Sequence, residues 1–519
     1  MHRHEHWLYM ALFRPEERVQ AAALARLAYT NPFLPDRIAD ERAVLGDAFV
    51  DAEPVWTLRA GRQVHNANVE RLAAIAARLV TATRARLVDG VRPSAEDLRL
   101  FEDVALYVLY DRYEDGLWHL IVDGGAQKRV AIWDGFRRDA EHLFAIPDVE
   151  LAARRDLPRV FAGFFQVRRA FHHIFWNIIG GSMPAARLRA AVWESIFTHD
   201  VRRYRRALVD RMGDMTTLIV GASGTGKELV ARAIALSRHV PFDPQSARFA
   251  TSDEDVFHPL NLSALSPTLI ESELFGHRRG SFTGAGADRV GWLEQCSALG
   301  TVFLDEIGDV DPSIQVKLLR VLQTRSFERL GETKSRRFRG KIVAATNRDL
   351  PSEMAAGRFR QDFYYRLCAD VIETPTLAAQ LRDAREELAH LVLFLAERVV
   401  GEEEADALTN EVVAWIERHL GPSYSWPGNV RELEQCVRNV LIHREYRPAL
   451  RVSTDSRDEL LAAIGRGTLT ADQLLTRYCT LVYADTGSYQ ETARRLGLDR
   501  RTVRAKVDPE QAGSLRRAR

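Results

Sequence analysis

Gly221-Ala-Ser-Gly-Thr-Gly-Lys227 has the G-x-x-x-x-G-K spacing of a loop that wraps phosphate groups. Gly221, Gly224 and Gly226 let backbone N–H groups turn toward an anion, Ser223 and Thr225 stand between them, and Lys227 is long enough to reach β and γ oxygens. The residues before the loop, 217–220, favour a strand, and residues 228–236 read as a helix that begins where the loop ends. A helix N-terminus thereby also faces the phosphates. Position 228 is Glu, where a hydroxyl would ordinarily face Mg²⁺. Thr225 or water then fills that role, or the acid marks a subfamily.

A second constellation follows about eighty residues later. In Gly300-Thr-Val-Phe-Leu-Asp305-Glu306, four strand-forming residues run into two acids. Asp305 at the carboxyl end of a buried strand suits Mg²⁺ held through water, and Glu306 suits polarisation of an attacking water. Alone, the segment reads equally well as a strand ending in a solvated acidic turn; the upstream loop tips the balance. Residues 341–347 repeat the pattern, a strand ending in Thr346 and Asn347, which are placed to sense a γ-phosphate. Between these lies Gly280-Ser-Phe282-Thr283-Gly284-Ala, an aromatic residue and a threonine between glycines, with no acid, base or nucleophile. Such a loop is suited to movement and to contact with another protein.

These groups must be held by a parallel sheet. Strands are predicted at 217–220, 258–261, 301–304 and 341–345, alternating with helices as in an α/β domain. Residues 1–189 read as a mainly helical domain, with amphipathic helices at 68–87, 94–113 and 165–179 and one short strand at 117–122. The α/β core takes 190–375, a helical satellite 376–445, a mixed-charge linker 446–469 and a compact helical unit 470–519. With 519 residues, 46% hydrophobic and 28% charged, the chain is a multidomain globular protein. No apolar run has the length of a membrane helix, the start lacks a signal-peptide pattern, and the expected location is the cytoplasm. The four cysteines lie far apart, without metal-ligand spacing, and read as reduced thiols.

The net charge is only +1, so nucleic-acid binding requires a local patch. Residues 488–519 hold nine Lys or Arg against four Asp or Glu. Residues 489–503 have helix-turn-helix spacing, with Ala493 small enough for close crossing and Gly497 at the turn. Arg500, Arg501, Thr502, Arg504 and Lys506 would present to DNA bases or phosphates.

Taken together the motifs resemble bacterial enhancer-binding proteins, the AAA+ activators of sigma-54 RNA polymerase. GASGTGKE at 221–228, LIESELFGH at 269–277, GSFTGA at 280–285 and GTVFLDEIGDV at 300–310 carry the resemblance. ATNRDL at 346–351, GRFRQDFYYRL at 357–367 and WPGNVREL at 426–433 follow in the family's order. It covers about 190–443 and, with the C-terminal unit, more than half the chain. The resemblance implies an AAA+ P-loop ATPase with a parallel sheet and helical lid, a Fis-like helix-turn-helix, and a homo-oligomeric ring, usually a hexamer, with a dimer as an inactive form. Glu228 becomes a family mark. ATP with Mg²⁺ would bind between neighbours, Arg360 and Arg366 resemble arginine fingers, Arg431 a lid arginine, and Asn261 the switch of Glu306. Gly280, Phe282, Thr283 and Gly284 would contact sigma-54, and the helix-turn-helix would dock upstream enhancer DNA.

Three departures stand out: Ser281 for the usual alanine, a weakened segment at 374–388, and an insertion at 243–257 expected to form a surface loop. Two rivals remain open at this point, a DNA-binding AAA+ regulator of another target and a small-molecule P-loop kinase. The N-terminal third shows no receiver signature. His2, His4 and His6 read as a solvated tail, His172 and His173 diverge on a helix, and Trp118, Trp133 and Trp176 are expected in the core.

Overall fold

In the computed structural model the described residues are 11–51, 55, 67–124, 128–250, 256–282, 285–422, 424–448, 456–465, 467, 469–508 and 512. His2, His4 and His6 lie outside them. The chain divides into two units, residues 1–438 and 439–519.

The first unit opens with helices α1 (Pro15–Leu27), α2 (Arg37–Leu45), α3 (Ala67–Val88), α4 (Ala95–Val122), α5 (Trp133–Phe144), α6 (Ala152–Arg155), α7 (Leu157–Asn177) and α8 (Met183–Phe197). Side chains set their starts. The Ser94 hydroxyl accepts from the Asp97 N–H, Asp156 from Arg159, and Ser182 from Ala185. The strand expected at 117–122 is instead the last turns of α4. Its apolar run fits either state, and Leu117 continues the buried stripe of Phe101, Val104 and Leu109. Trp133 is buried as expected, whereas Trp176 is 64% exposed.

After α9 (Val201–Arg203) and a π-helical turn at Tyr204–Leu208 comes the sheet. Its members are β1 (Thr217–Val220), β4 (Phe257–Asn261), β5 (Thr301–Asp305), β8 (Lys341–Thr346) and β9 (Asp370–Glu373), with β2 (Phe242–Asp243), β3 (Arg248–Phe249), β6 (Ser326–Phe327) and β7 (Arg336–Arg337) forming two small hairpins. The five strands run parallel in the order β4-β5-β8-β1-β9. Four match the expected strands; β9, a short edge strand with one fully buried residue, carries too little apolar signal to be read in advance. One face is covered by α7, α8 and α10 (Lys227–Leu236), the other by α11 (Pro267–Phe275), α13 (Pro312–Thr324) and α15 (Gln361–Leu367). The result is a parallel sheet covered by helices on both faces. Because α8 supplies Val192, Trp193 and Ile196 to the sheet's core, a boundary between 189 and 190 falls inside a helix.

The insertion is not a surface loop over its described part. Its first residues make the β2–β3 hairpin, whose Phe242, Ala247 and Phe249 are buried in the core of the N-terminal helices. The Phe242 ring lies 4.8 Å from those of Trp133 and Phe161, Phe249 lies 4.0 Å from Phe165, and the Val130 N–H donates to the Ala247 carbonyl at 2.8 Å. Alternation of two aromatics around polar Asp243–Ser246 is a hairpin signal that the acidic tail of the segment conceals. Residues 251–255 lie outside the described ones.

The second unit contains α20 (Ser456–Gly465), α21 (Ala471–Thr486), α22 (Tyr489–Leu496) and α23 (Arg500–Lys506). The segment expected as linker thus contains a helix, α20. Cys479, Ala493, Val503 and Val507 form the unit's core, with Leu496 and Leu498 packed against it.

Candidate nucleotide site

The phosphate loop leaves the carboxyl end of β1, which lies between β8 and the edge strand β9, and enters α10 through Gly226 in a left-handed conformation (φ 88°). That turn aims the first N–H groups of α10 into the loop. Lys227 is buried and donates to the carbonyls of Gly221 (3.0 Å) and Ala222 (3.2 Å). Burial lowers its pKa, with Glu306 and Asp305 acting in the opposite sense. Thr225, one of the two groups offered for Mg²⁺, has its hydroxyl 2.8 Å from the Ala222 carbonyl and 2.6 Å from the Thr374 hydroxyl. With those bonds it is spent on the loop, which leaves the ion to carboxylate and water. Thr374 follows β9 and was not singled out by sequence; a Cβ on Gly221 would lie 2.1 Å from its Oγ1, so only glycine fits there.

The two acids stand at the carboxyl end of β5, beside β8. Glu306 takes a left-handed backbone conformation (φ 55°), and its N–H donates to Asp305 Oδ1 at 3.0 Å. Burial pushes the Asp305 carboxyl up, while that N–H and Lys227 pull it down. Its second oxygen makes no hydrogen bond among the described residues and suits a hard cation. The Glu306 carboxylate accepts from the Asn347 N–H at 3.3 Å, so Asn347 meets it through backbone. Asn261 stands opposite Asp305 across β4 and β5, but its side-chain oxygen accepts from the N–H and hydroxyl of Ser263. No hydrogen bond joins it to Glu306 among the described residues. Thr346 is buried, and its hydroxyl accepts from the Arg348 N–H at 3.0 Å. Glu228 is exposed and pairs with Arg232 at 3.6 Å.

The lid is built from α16 (Leu377–Asp383), α17 (Glu387–Val400), α18 (Glu402–His419) and α19 (Asn429–His443). The start of α19 grips the phosphate loop. The Val430 N–H donates to the Gly224 carbonyl at 3.1 Å, Asn429 Nδ2 to the Ser223 carbonyl at 2.9 Å, and Arg431 Nη1 to the Ser223 hydroxyl at 3.1 Å. Trp426 and Asn429 both hold positive φ (50° and 52°), and Asn429 Oδ1 accepts from the Leu377 N–H. Such strain persists only where the surroundings over-determine it, and it clusters at functional segments. Arg431 was expected to act here; Asn429 and Gly428 were not, although they sit in the same WPGN run.

Other candidates lie apart from these bonds. Arg360 caps α15 and is paired with Asp362 at 2.7 Å on the surface, and Arg366 is exposed. In the 280–285 loop the Gly280 N–H donates to the Ala285 carbonyl and the Phe282 ring meets His277 edge-on at 5.0 Å. Thr283 and Gly284 lie outside the described residues. In the second unit Arg500, Arg501 and Arg504 are exposed on α23. Asp499 caps that helix, its carboxylate accepting from the N–H and hydroxyl of Thr502, and Lys506 is paired with Asp472. No cluster of metal-binding side chains and no helix long and apolar enough to cross a membrane occurs among the described residues.

The arrangement fits a nucleoside triphosphate. Glycines stand where a Cβ would strike neighbours, a lysine lies inside the loop, one carboxylate oxygen is unspent, and a lid segment reports on the loop. Residues 196–373 match the sigma-54 interaction domain. The Nif-specific regulatory protein of Azotobacter vinelandii is 45% identical over 230 residues, 44% of this chain and 40% of its own. The transcriptional regulatory protein ZraR of Escherichia coli K12 is 39% identical over 306 residues, 57% of this chain and 63% of its own. The chain therefore spans between two fifths and two thirds of the length of these relatives. Over residues 196–373, about a third of its length, the chain is similar to the sigma-54 interaction domain.

Proposed function

We propose that this chain is an ATP-driven transcription activator of the cytoplasm that remodels sigma-54 RNA polymerase from upstream DNA. The observation that carries the reading is the grip of Asn429, Val430 and Arg431 on Ser223 and Gly224, in a chain that also presents Asp305 and Glu306 beside the loop. A nucleotide's state can then be felt by the lid. Residues 1–189 serve as the regulatory domain, 190–375 with 376–445 as the ATPase, and 470–519 as the DNA-binding unit.

Bound ATP and Mg²⁺ supply the hydrolysable phosphoanhydride and the charge that neutralises it. Lys227 with the N–H groups of 221–228 holds the phosphates, and Asp305 holds the ion. Glu306 orients water and accepts its proton, tethered by the Asn347 N–H. Thr346 lines the same end of the sheet. Arg360 and Arg366, facing outward, act on the site of the next subunit in a ring. Phe282 and Thr283, between Gly280 and Gly284, touch sigma-54.

Two measurements test this. The ATPase rate per subunit should rise with protein concentration, and Arg360→Ala should lower it by ~10³ or more. Mixing Arg360→Ala with Glu306→Gln should restore part of the rate, since each supplies what the other lacks. Open-complex formation by purified sigma-54 polymerase should require ATP and Thr283. A rate independent of dilution, or activation intact in Thr283→Ala, would refute the ring or the contact respectively.

A further inference from the structure

The helical N-terminal part encloses a cavity of about 810 Å³ that the nucleotide chemistry does not use. That volume lies in the range of small-molecule sites. Its walls come from α2, α4, α7, α8 and the π-helical turn, and one side is aromatic, with Tyr107, Phe164, Phe171, Phe175 and Trp193. Midway along α7, Gly163 lines it, and a Cβ there would meet nothing within 4 Å. Glycine inside a helix costs roughly 0.5–1 kcal/mol against alanine, so the space is kept at some expense.

The polar lining is uneven. At one end Asp103 is fully used, with the Tyr29 hydroxyl donating at 2.6 Å and Arg202 at 2.7 Å. At the other, Glu41, Asp111 and Glu114 surround Tyr107. Glu41 is 2% exposed; one oxygen accepts from Arg37 at 2.6 Å, and Oε2, buried, has no partner. Neither Asp111 nor Glu114 makes a hydrogen bond or ion pair among the described residues. Arg168, whose charge acts on Glu114, lies over the face of Trp118 at 4.8 Å and lines the same cavity, and Arg112 acts on Asp111. Burial raises the pKa of both Asp111 and Glu114, so a positive charge between them would be welcomed. An unpaired buried carboxylate oxygen costs free energy that a donor from a ligand would recover.

We infer that this cavity binds a small organic cation, an amine carried on an apolar or aromatic body, with Glu41, Asp111 and Glu114 holding the ammonium and the aromatic wall holding the body. The site lies beyond the ATPase reading and does not depend on it.

The test is calorimetric titration of the full chain, without nucleotide, by a series of primary alkyl and arylalkyl amines that includes 2-phenylethylamine. Phenylacetate and ethylbenzene serve as anionic and neutral counterparts. At least one amine should bind and its counterparts should not. Glu41→Gln and Asp111→Asn should each weaken it tenfold or more. Gly163→Leu, which fills open space and keeps every acid, should abolish binding while the chain stays folded by thermal melting. Failure of every amine to bind, equal binding of phenylacetate, or unchanged affinity in Gly163→Leu would overturn the assignment.

Discussion

Gly224 in the phosphate loop and Gly428 at the head of α19 meet so closely that a Cβ on Gly224 would lie 2.2 Å from the Gly428 carbonyl oxygen. Gly224 also holds a positive φ of 78°. Both facts tie the identity of one glycine to the seating of the lid. Gly224→Ala should fold but hold the lid away, weakening nucleotide binding at least tenfold, or ~1.4 kcal/mol. Titration with a fluorescent nucleotide checks this; native affinity would mean the contact is dispensable.

The β2–β3 hairpin joins the α/β core to the N-terminal helices through Phe242 and Phe249. Phe249→Ala removes a ring stacked on Phe165 and should cost ~3–5 kcal/mol in urea unfolding. Truncating exposed Gln245 should cost almost nothing. Equal, small effects would mean that the hairpin lies loosely on the helices.

Lys341 is buried at the start of β8, donating to the Met215 carbonyl at 2.7 Å, and burial pushes its pKa down to about 7. An unfolded lysine titrates near ~10.4. Between those values the unfolded chain binds the additional proton, so stability from this group rises with pH across that window. Below about pH 7 both states are protonated and the full penalty of the buried charge stands. Lys341→Met, free of the penalty, should therefore gain most over the native chain at pH 7, with the gap narrowing toward pH 10. Chemical denaturation at both values measures it; a constant gap would show that the amine does not titrate in that window.

In the second unit Arg504 is exposed whereas Lys506 is engaged with Asp472. Arg504→Ala should weaken DNA binding and reduce the log–log salt slope by about one. Lys506→Ala should change the slope less. Fluorescence anisotropy at several salt concentrations separates the two, and equal slopes would place Lys506 on phosphate despite its pairing.

Much of the site was legible because its parts are local. A loop such as 221–227 carries its geometry in glycine spacing, and Asp305-Glu306 follows an unbroken apolar strand, so both strand ends could be placed in advance. The helix ending at Val122 was misread for the opposite reason, since a short apolar run satisfies either period and only its continuation of the buried face of α4 decides. The hairpin at 242–249 escaped because its two phenylalanines gain meaning from partners more than seventy residues earlier. Thr374 and Asn429 escaped likewise: each is a common polar residue until the fold brings it against the loop.

The sequence by itself determined which residues could bind phosphate, hold an ion and orient water, because those capacities reside in side-chain chemistry and short backbone turns. Tertiary structure decided that Thr225 is bonded to Thr374 and Ala222, that the lid touches the loop through Asn429 to Arg431, and that an inserted hairpin completes the N-terminal core. It also decided that Glu41, Asp111 and Glu114 share one cavity. Each of these depends on segments far apart in the chain being buried against one another, and burial is a property of the packed whole.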